Sequence, residues 1–184
     1  MIRTLSVKET LLFSAKTRLP SDLSNKEKHK MVNTTLKLLG LDEIKHSLIG
    51  DEVVRGISGG QRKRVNIGIE VVSDPTVLFL DEPTSGLDSS SSKEVITALN
   101  KLAHNLKLTI AAVIHQPRYE IFSLFDDVLL LGKGGKTVKI LFFFLFFYYL
   151  LISRFIWVQP MTALNTLKIL VSNAQNTLIL QIMF

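Results

Sequence analysis

Two short apolar runs, Thr76–Leu80 and Leu108–Ile114, flank an amphipathic stretch, and this constrains the fold more than any other feature of the 184 residues. An unbroken apolar run between turn signals fits a strand buried on both faces, as in parallel sheets. Asp74-Pro75 supplies the turn before the first run. Between the runs Val95, Ile96, Leu99, Leu102, Ala103 and Leu106 fall on one helical face, with Asp88 placed to cap that helix. A short helix around Ile121–Phe125, a strand over Val128–Leu131, a Gly132–Gly135 hairpin turn and a return strand over Thr137–Ile140 are expected to follow. Alternating strands and helices from Thr76 to Leu131 predict an α/β core with a parallel sheet.

Both apolar runs end in polar residues. Asp81 and Glu82 close the first and His115 the second, at the strand ends where open α/β sheets bind ligands. Two adjacent acids there can divide labour, one holding Mg²⁺ and the other polarising a water for attack on phosphorus. Taken alone, the acids are equally well a solvated pair, and the His is as often structural as functional. Upstream, Ile57-Ser58-Gly59-Gly60-Gln61 leads into a helical Arg62–Val72. Ser58 is a natural N-cap, and the glycines let backbone N–H groups approach an anion at the positive helix end. In isolation such a turn is more commonly a plain helix start.

The first 55 residues read as helical and carry no catalytic constellation. Ser6 with Glu9, and Ser24 with Glu27, are capping-box spacings. Met31, Val32, Leu36 and Leu39 recur at helical intervals, Gly40 is placed as a left-handed stop, and Leu41–Leu48 reads as a further short helix ended by Gly50. His29 and His46 have no second His or carboxylate at metal-site spacing and are expected to face solvent. The chain has no cysteine, which excludes disulfides and Cys-ligated zinc and fits a reducing compartment. Its net charge of +6 is a mild excess without an arginine-rich run, so no nucleic-acid partner is expected. The start, MIRTLSVKETLLFSAK, has no sustained apolar core of a secretory signal.

The apolar excess belongs to the tail. Six of the eleven Phe, two of the three Tyr and the only Trp lie between Phe142 and Trp157. Ile140–Ile152 is shorter than the roughly 20 residues that span a bilayer, and extension to Val158 encloses Arg154. The tail is expected to be a sticky, poorly packed C-terminus, with membrane entry over 140–158 the competing reading.

Together these motifs are recognisable. ISGGQRKR resembles the signature motif of ATP-binding cassette (ABC) transporters, VLFLDE their Walker B strand, PTSGLD their D-loop and IHQPR their switch-histidine loop. The surrounding wording, from TLSVKETLLFSAKTRLP to IHQPRYEIFSLFDDVLLL, is similar to the G subfamily, the White-type half-transporters, over residues 4 to 139. The resemblance implies a partial P-loop NTPase core of the ABC ATPase type. Residues 1–72 would be an α-helical subdomain ending in the signature helix, 73–140 the Walker B, D-loop and switch-His half of the core, and 141–184 an additional apolar tail. It implies ATP and Mg²⁺ as cofactors. Asp81 would assist the metal, Glu82 would activate the hydrolytic water and His115 would sense the γ-phosphate. Ser58, Gly59, Gly60 and Gln61 would contact nucleotide bound by an opposing cassette, and Asp88 would couple the two sites.

Implied partners are a second nucleotide-binding domain, in a homo- or heterodimer, and an ABC transmembrane domain. The cassette would lie on the cytosolic face of a membrane, and the chain by itself would be cytosolic. The implied activity is coupling of ATP hydrolysis to transport of lipid-like or hydrophobic substrates. No G-x-x-x-x-G-K-[ST] loop occurs in the chain, so inactivity in isolation is expected, together with apolar sheet surface left uncovered by a missing strand. Two other readings share the motifs. One is a non-catalytic module supplying the signature face to a complete cassette. The other is an ABC-type ATPase of DNA maintenance, disfavoured because short capped helices rather than coiled coils precede the signature.

Overall fold

A computed structural model describes residues 2–51, 54–115, 117–130 and 178–183. The described elements, in chain order, are helices α1 (Val7–Arg18), α2 (Asn25–Leu38) and α3 (Gly59–Val71), strand β1 (Val77–Asp81), helix α4 (Ser89–Leu106), strand β2 (Thr109–His115), helix α5 (Tyr119–Phe122), and strands β3 (Asp127–Leu130) and β4 (Leu178–Met183).

The three N-terminal helices start where side-chain oxygens can satisfy orphan backbone donors. Ser6 accepts from the Glu9 N–H at 3.3 Å, and Glu9 accepts from the Ser6 N–H at 2.8 Å. Ser24 and Glu27 repeat the arrangement at 3.3 and 2.8 Å. The Ser6 and Ser24 hydroxyls, helped by the backbone N–H of the same residues, hold both glutamate carboxyls below their ordinary range. Ser58 and Gln61 form a third box, described with the site below. Helix α4 starts differently. Asp88 receives the N–H groups of Ser90 at 3.1 Å and Ser91 at 3.3 Å, along with the Ser90 hydroxyl. These donors, the Ser90 hydroxyl foremost, keep the Asp88 carboxyl well below the usual carboxylate range.

Helix α3 is the centre of the helical layer and packs against α1, α2 and α4. At Gly68 a Cβ would stand 2.8 Å from Leu39 Cδ1 and 2.9 Å from Leu11 Cδ2, so the absent side chain is what lets the three helices meet. Arg64 adds a polar tie. Its Nη1 donates to the Leu39 carbonyl oxygen at 3.1 Å, at the end of α2, and its Nη2 pairs with Glu94 of α4 at 3.0 Å. One apolar cluster runs from Val7, Leu11, Val32 and Leu36 through Val65 and Ile67 to Val95, Leu99, Leu102, Ile110 and Ile114.

The sheet has the order β1-β2-β4-β3, and every pairing is parallel, as the alternation of strands and helices predicts. Leu78 of β1 and Ile110, Ala112 and Ile114 of β2 are buried. The expectation that β1 is buried on both faces does not hold, because Val77 is 44% and Phe79 74% exposed. The described helix that packs on the sheet, α4, lies on the face of Leu78 and leaves that of Phe79 open.

Three further expectations change. Leu41–Leu48 forms turns, not a helix, and Leu48 bridges Ser6 in antiparallel fashion. The Val7 N–H donates to the Ser47 carbonyl oxygen at 3.0 Å and the Ile49 N–H to that of Leu5 at 3.0 Å, so the start of α1 takes hydrogen bonds from this segment that a helix would keep for itself. Leu106, expected on the buried face of α4, is 40% exposed in the last turn. The tail, expected to be unpacked, supplies β4. Gly40 takes the left-handed φ of +63° expected of a helix stop. His46 is exposed and His29 half-buried. The 132–140 hairpin and the apolar 140–158 stretch lie outside the described residues; among those described, no helix is long and apolar enough to cross a membrane.

Arg64→Ala leaves the Leu39 carbonyl without its donor inside the core, and urea unfolding should show a loss of about 2 kcal/mol. Glu94→Ala removes only a largely exposed partner and should cost under about 1 kcal/mol. At Asp88, depression of the carboxyl below its unfolded value means that the cap is present at neutral pH. It is lost only as pH falls through the depressed folded value. Carbon-detected NMR titration should therefore place the Asp88 midpoint below that of an unstructured aspartate, and Ser90→Ala should move it upward.

Candidate functional site

The parallel strands deliver their C-terminal ends to one edge of the sheet, and the sequence candidates divide into two groups around it. Asp81 is the last residue of β1 and stands in register with Val113 of β2. The chain then turns sharply. The Glu82 N–H donates to the Val113 carbonyl oxygen at 2.9 Å, while Glu82 itself takes a left-handed φ of +47°. For a residue with a side chain this conformation costs about 1–3 kcal/mol and is held by its surroundings. Here the Ser85 N–H closes a turn onto the Glu82 carbonyl oxygen at 3.1 Å, and Lys63 Nζ reaches the same oxygen at 3.5 Å. Asp81 is exposed and Glu82 half-buried. His115 is the final residue of β2, two positions beyond Val113, so its backbone reaches the same edge. Gln116 lies outside the described residues.

The second group lies at the start of α3. Ser58 caps the helix by accepting from the Gln61 N–H at 3.2 Å, and Gln61 Oε1 accepts from the Ser58 N–H at 2.9 Å. The S-x-x-Q spacing signals this box in the sequence, yet the reading above assigns Gln61 only an outward contact. Ser58 and Gly59 are exposed, while Gly60 is buried. A Cβ on Gly60 would stand 2.9 Å from Ser91 Cβ, and one on Gly59 would stand 3.5 Å from Leu87 Cδ2. Glycine is required at Gly60 because the first turns of α3 and α4 touch there. The structure thus brings Ser58, Gly59, Gly60 and Gln61 together with Asp88, so that two helix N-termini lie side by side. Each N-terminus carries partial positive charge, and Asp88 places a carboxylate over one of them.

Lys63 joins the two groups, since it leaves α3 two residues after Gln61 and meets the carbonyl of Glu82. Between α3 and β1, a cleft of about 340 Å³ is lined by Lys63, Asn66, Glu70, Leu80, Asp81 and Pro83 among others. Sequence reading missed Lys63, Leu87 and Ser91. Their signal was spacing within motifs already noticed, but their contacts arise only when the helices pack.

A protein-family model described as "ABC transporter" matches residues 1–85. The chain is 50% identical over 131 residues to "Broad substrate specificity ATP-binding cassette transporter ABCG2" of Mus musculus, covering 71% of the chain and 20% of that protein. It is 53% identical over 131 residues to "ABC transporter G family member 28" of Arabidopsis thaliana, with 71% of the chain and 12% of the relative covered. A further 53% identity over 135 residues joins it to "ABC transporter G family member 2" of Dictyostelium discoideum, over 73% of the chain and 10% of the relative. The chain therefore spans about a fifth or less of the length of these curated relatives. Among solved structures, cbiO1 from Clostridium perfringens, described as part of the ABC transporter complex cbiONQ, superposes with a TM-score of 0.62 at 26% identity. That match covers 82% of the chain and 58% of cbiO1. The ordered motifs, the parallel α/β core and these relatives agree: the chain belongs to the ABC transporter family, as part of a G-type nucleotide-binding domain.

Proposed function

We propose that this chain contributes two half-sites to a pair of cassettes that bind and hydrolyse ATP. The observation that carries the reading is the packing of the Ser58–Gln61 turn against Leu87–Ser91, with Lys63 tied to the carbonyl of Glu82. The surface that would meet a partner's nucleotide and the strand end that would serve the chain's own are thereby linked as one body. In this reading residues 1–72 are the helical subdomain and 73–140 the Walker B half of the core.

Ser58 and Gly59 offer an exposed helix N-terminus to the γ-phosphate of ATP held by an opposing cassette. Gly60 lets that turn sit against α4, and Gln61 keeps Ser58 oriented through the capping box. Asp81 suits Mg²⁺, which takes one or two carboxylates together with phosphate oxygens and water. When bound, the metal would neutralise charge developing on the phosphates. Glu82, aimed by its left-handed backbone, would accept a proton from the attacking water, and His115 would contact the γ-phosphate from the neighbouring strand. Asp88 would relay between the two sites through α4. The 184 residues contain no Walker A loop, so we propose that they hydrolyse no ATP unaided. The parent activity would be coupling of ATP turnover to transport of hydrophobic or lipid-like compounds through a transmembrane domain, with the cassette on the cytosolic side.

A purified complete G-type cassette, loaded with ATP and blocked in hydrolysis, should retain the full chain on a biosensor. Ser58→Arg should weaken that binding at least about tenfold, the scale of one lost charge-assisted contact. Gly60→Ala should weaken it by shifting the start of α3 away from Ser91, whereas Glu82→Gln should leave it unchanged. Mg²⁺-dependent ATP hydrolysis by the chain alone, abolished by Glu82→Gln, would overturn the proposed dependence on a partner.

A further inference from the structure

Helix α2 divides its residues between two environments. Val32, Thr35 and Leu36 are buried against the core. On the outer face Lys26, Lys30, Asn33 and Lys37 recur at i, i+4, i+7 and i+11, with His29 and Thr34 beside them. These six residues line a shallow depression of about 380 Å³ to which no other described element contributes. At 1.5 Å of rise per residue, the three lysine positions spread over about 16 Å of the helix.

The charge on this face is not neutralised within the protein. Arg3, Arg18, Lys45, Arg64 and Lys93 each pair with a carboxylate, whereas Lys26, Lys30 and Lys37 make no ion pair among the described residues. The one acid of α2, Glu27, is turned back onto the N-cap, where its carboxylate accepts from the Ser24 N–H at 2.8 Å and the Ser24 hydroxyl at 2.6 Å. Those two donors hold the Glu27 carboxyl low, and Lys30 adds the smallest effect.

The face lacks the parts that other partners use. Protein interfaces centre on aromatic, Met or Arg anchors, and lysine is depleted there. The lining of this depression holds no Phe, Tyr, Trp, Met or Arg and no aliphatic residue. Single-stranded nucleic acid is gripped by stacking side chains, and a discrete phosphate by the fork of an arginine. Lysine is a compact point charge on a flexible stem, suited to a diffuse layer of anions. We propose that the outer face of α2 rests on anionic lipid headgroups through Lys26, Lys30 and Lys37. The apolar residues of α2 are committed to the core, so the contact is made by charge alone, without insertion among acyl chains. Each lysine near such a surface gives about a fivefold gain in partitioning, so three give roughly a hundredfold. That is too little to recruit a protein from dilute solution, but enough to orient one already held beside a bilayer.

The full chain should sediment with phosphatidylcholine vesicles containing phosphatidylserine at least about tenfold more strongly than with phosphatidylcholine alone, and high salt should remove the difference. Apolar adhesion anywhere on the chain raises both alike and cancels in this ratio. Lys26→Gln, Lys30→Gln and Lys37→Gln together should bring the ratio within about twofold of unity. Gln keeps the helix propensity of Lys, so the circular dichroism of this variant should match that of the parent. Lys8→Gln, Lys101→Gln and Lys107→Gln together remove the same charge from other elements and should leave the ratio within about twofold of the parent's. Equal losses in the two triple variants would show a response to net charge alone and overturn the proposal, as would an unaltered ratio in the α2 variant. Binding of duplex DNA or of poly-glutamate in place of the vesicles, lost with the α2 lysines, would give the face to nucleic acid or to an acidic protein and overturn the lipid assignment. The assay uses neither ATP nor a second cassette, so its failure is distinct from failure of the proposed function.

Discussion

Arg64 adds polar ties between α3 and its neighbours α2 and α4, which otherwise pack largely through apolar contact. Taking a guanidinium out of water is costly unless its donors are used, and Arg64 uses one on the last turn of α2 and another on Glu94 of α4. Because the guanidinium is a rigid planar fork, the two contacts limit rotation of α3 about its axis as well as its separation from its neighbours. That restraint matters at both ends of the helix's exposed run. It determines which way Ser58 and Gly59 present their N–H groups, and it brings Lys63 to the carbonyl of Glu82. Arg64 itself touches none of the proposed phosphate contacts, but their relative placement depends on it.

The two site groups are organised by different physics. The signature turn is local, since its hydrogen bonds close within four residues, from Ser58 to Gln61. The Walker B end is built by the sheet. Asp81 is aligned by the register with β2, and Glu82 is held in a left-handed conformation by a bond across the strands to Val113. Disturbance of the sheet would therefore reach the acids before it reached the signature, whereas rotation of α3 would move the signature first.

Much of this was legible in the chain because it is encoded by neighbours in sequence. Capping boxes, the Gly40 stop, the apolar face of α4 and the polar residues closing β1 and β2 all depend on spacings of a few residues. Features that depend on remote packing were not. Leu41–Leu48 has helical composition, but its backbone is drawn into bonds with Val7 and Lys8 at the start of α1. Val77 and Phe79 read as buried because hydrophobicity reports what a face prefers, not whether anything covers it. Gln61 was given a reach outward because the motif suggested it, while the capping box turns its side-chain oxygen back onto Ser58. β4 was illegible for the strongest reason: Leu178–Met183 is a short apolar run with no local signal of a partner strand more than sixty residues earlier.

The position of β4 also bears on how the chain reaches its fold. A polypeptide emerges from the ribosome in order, so α1 to α4 and the β1–β2 pair can form while residues beyond 115 are still being made. β3 can lie along α4 once it is made, but its pairing among the described strands is with β4. Among the described strands, the sheet becomes continuous only after residue 183 has been synthesised, when β2 and β3 have already been made. The nascent protein thus passes through an interval in which two strands present unpaired backbone to solvent. That interval, rather than the finished structure, is where chaperone dependence and aggregation would be concentrated.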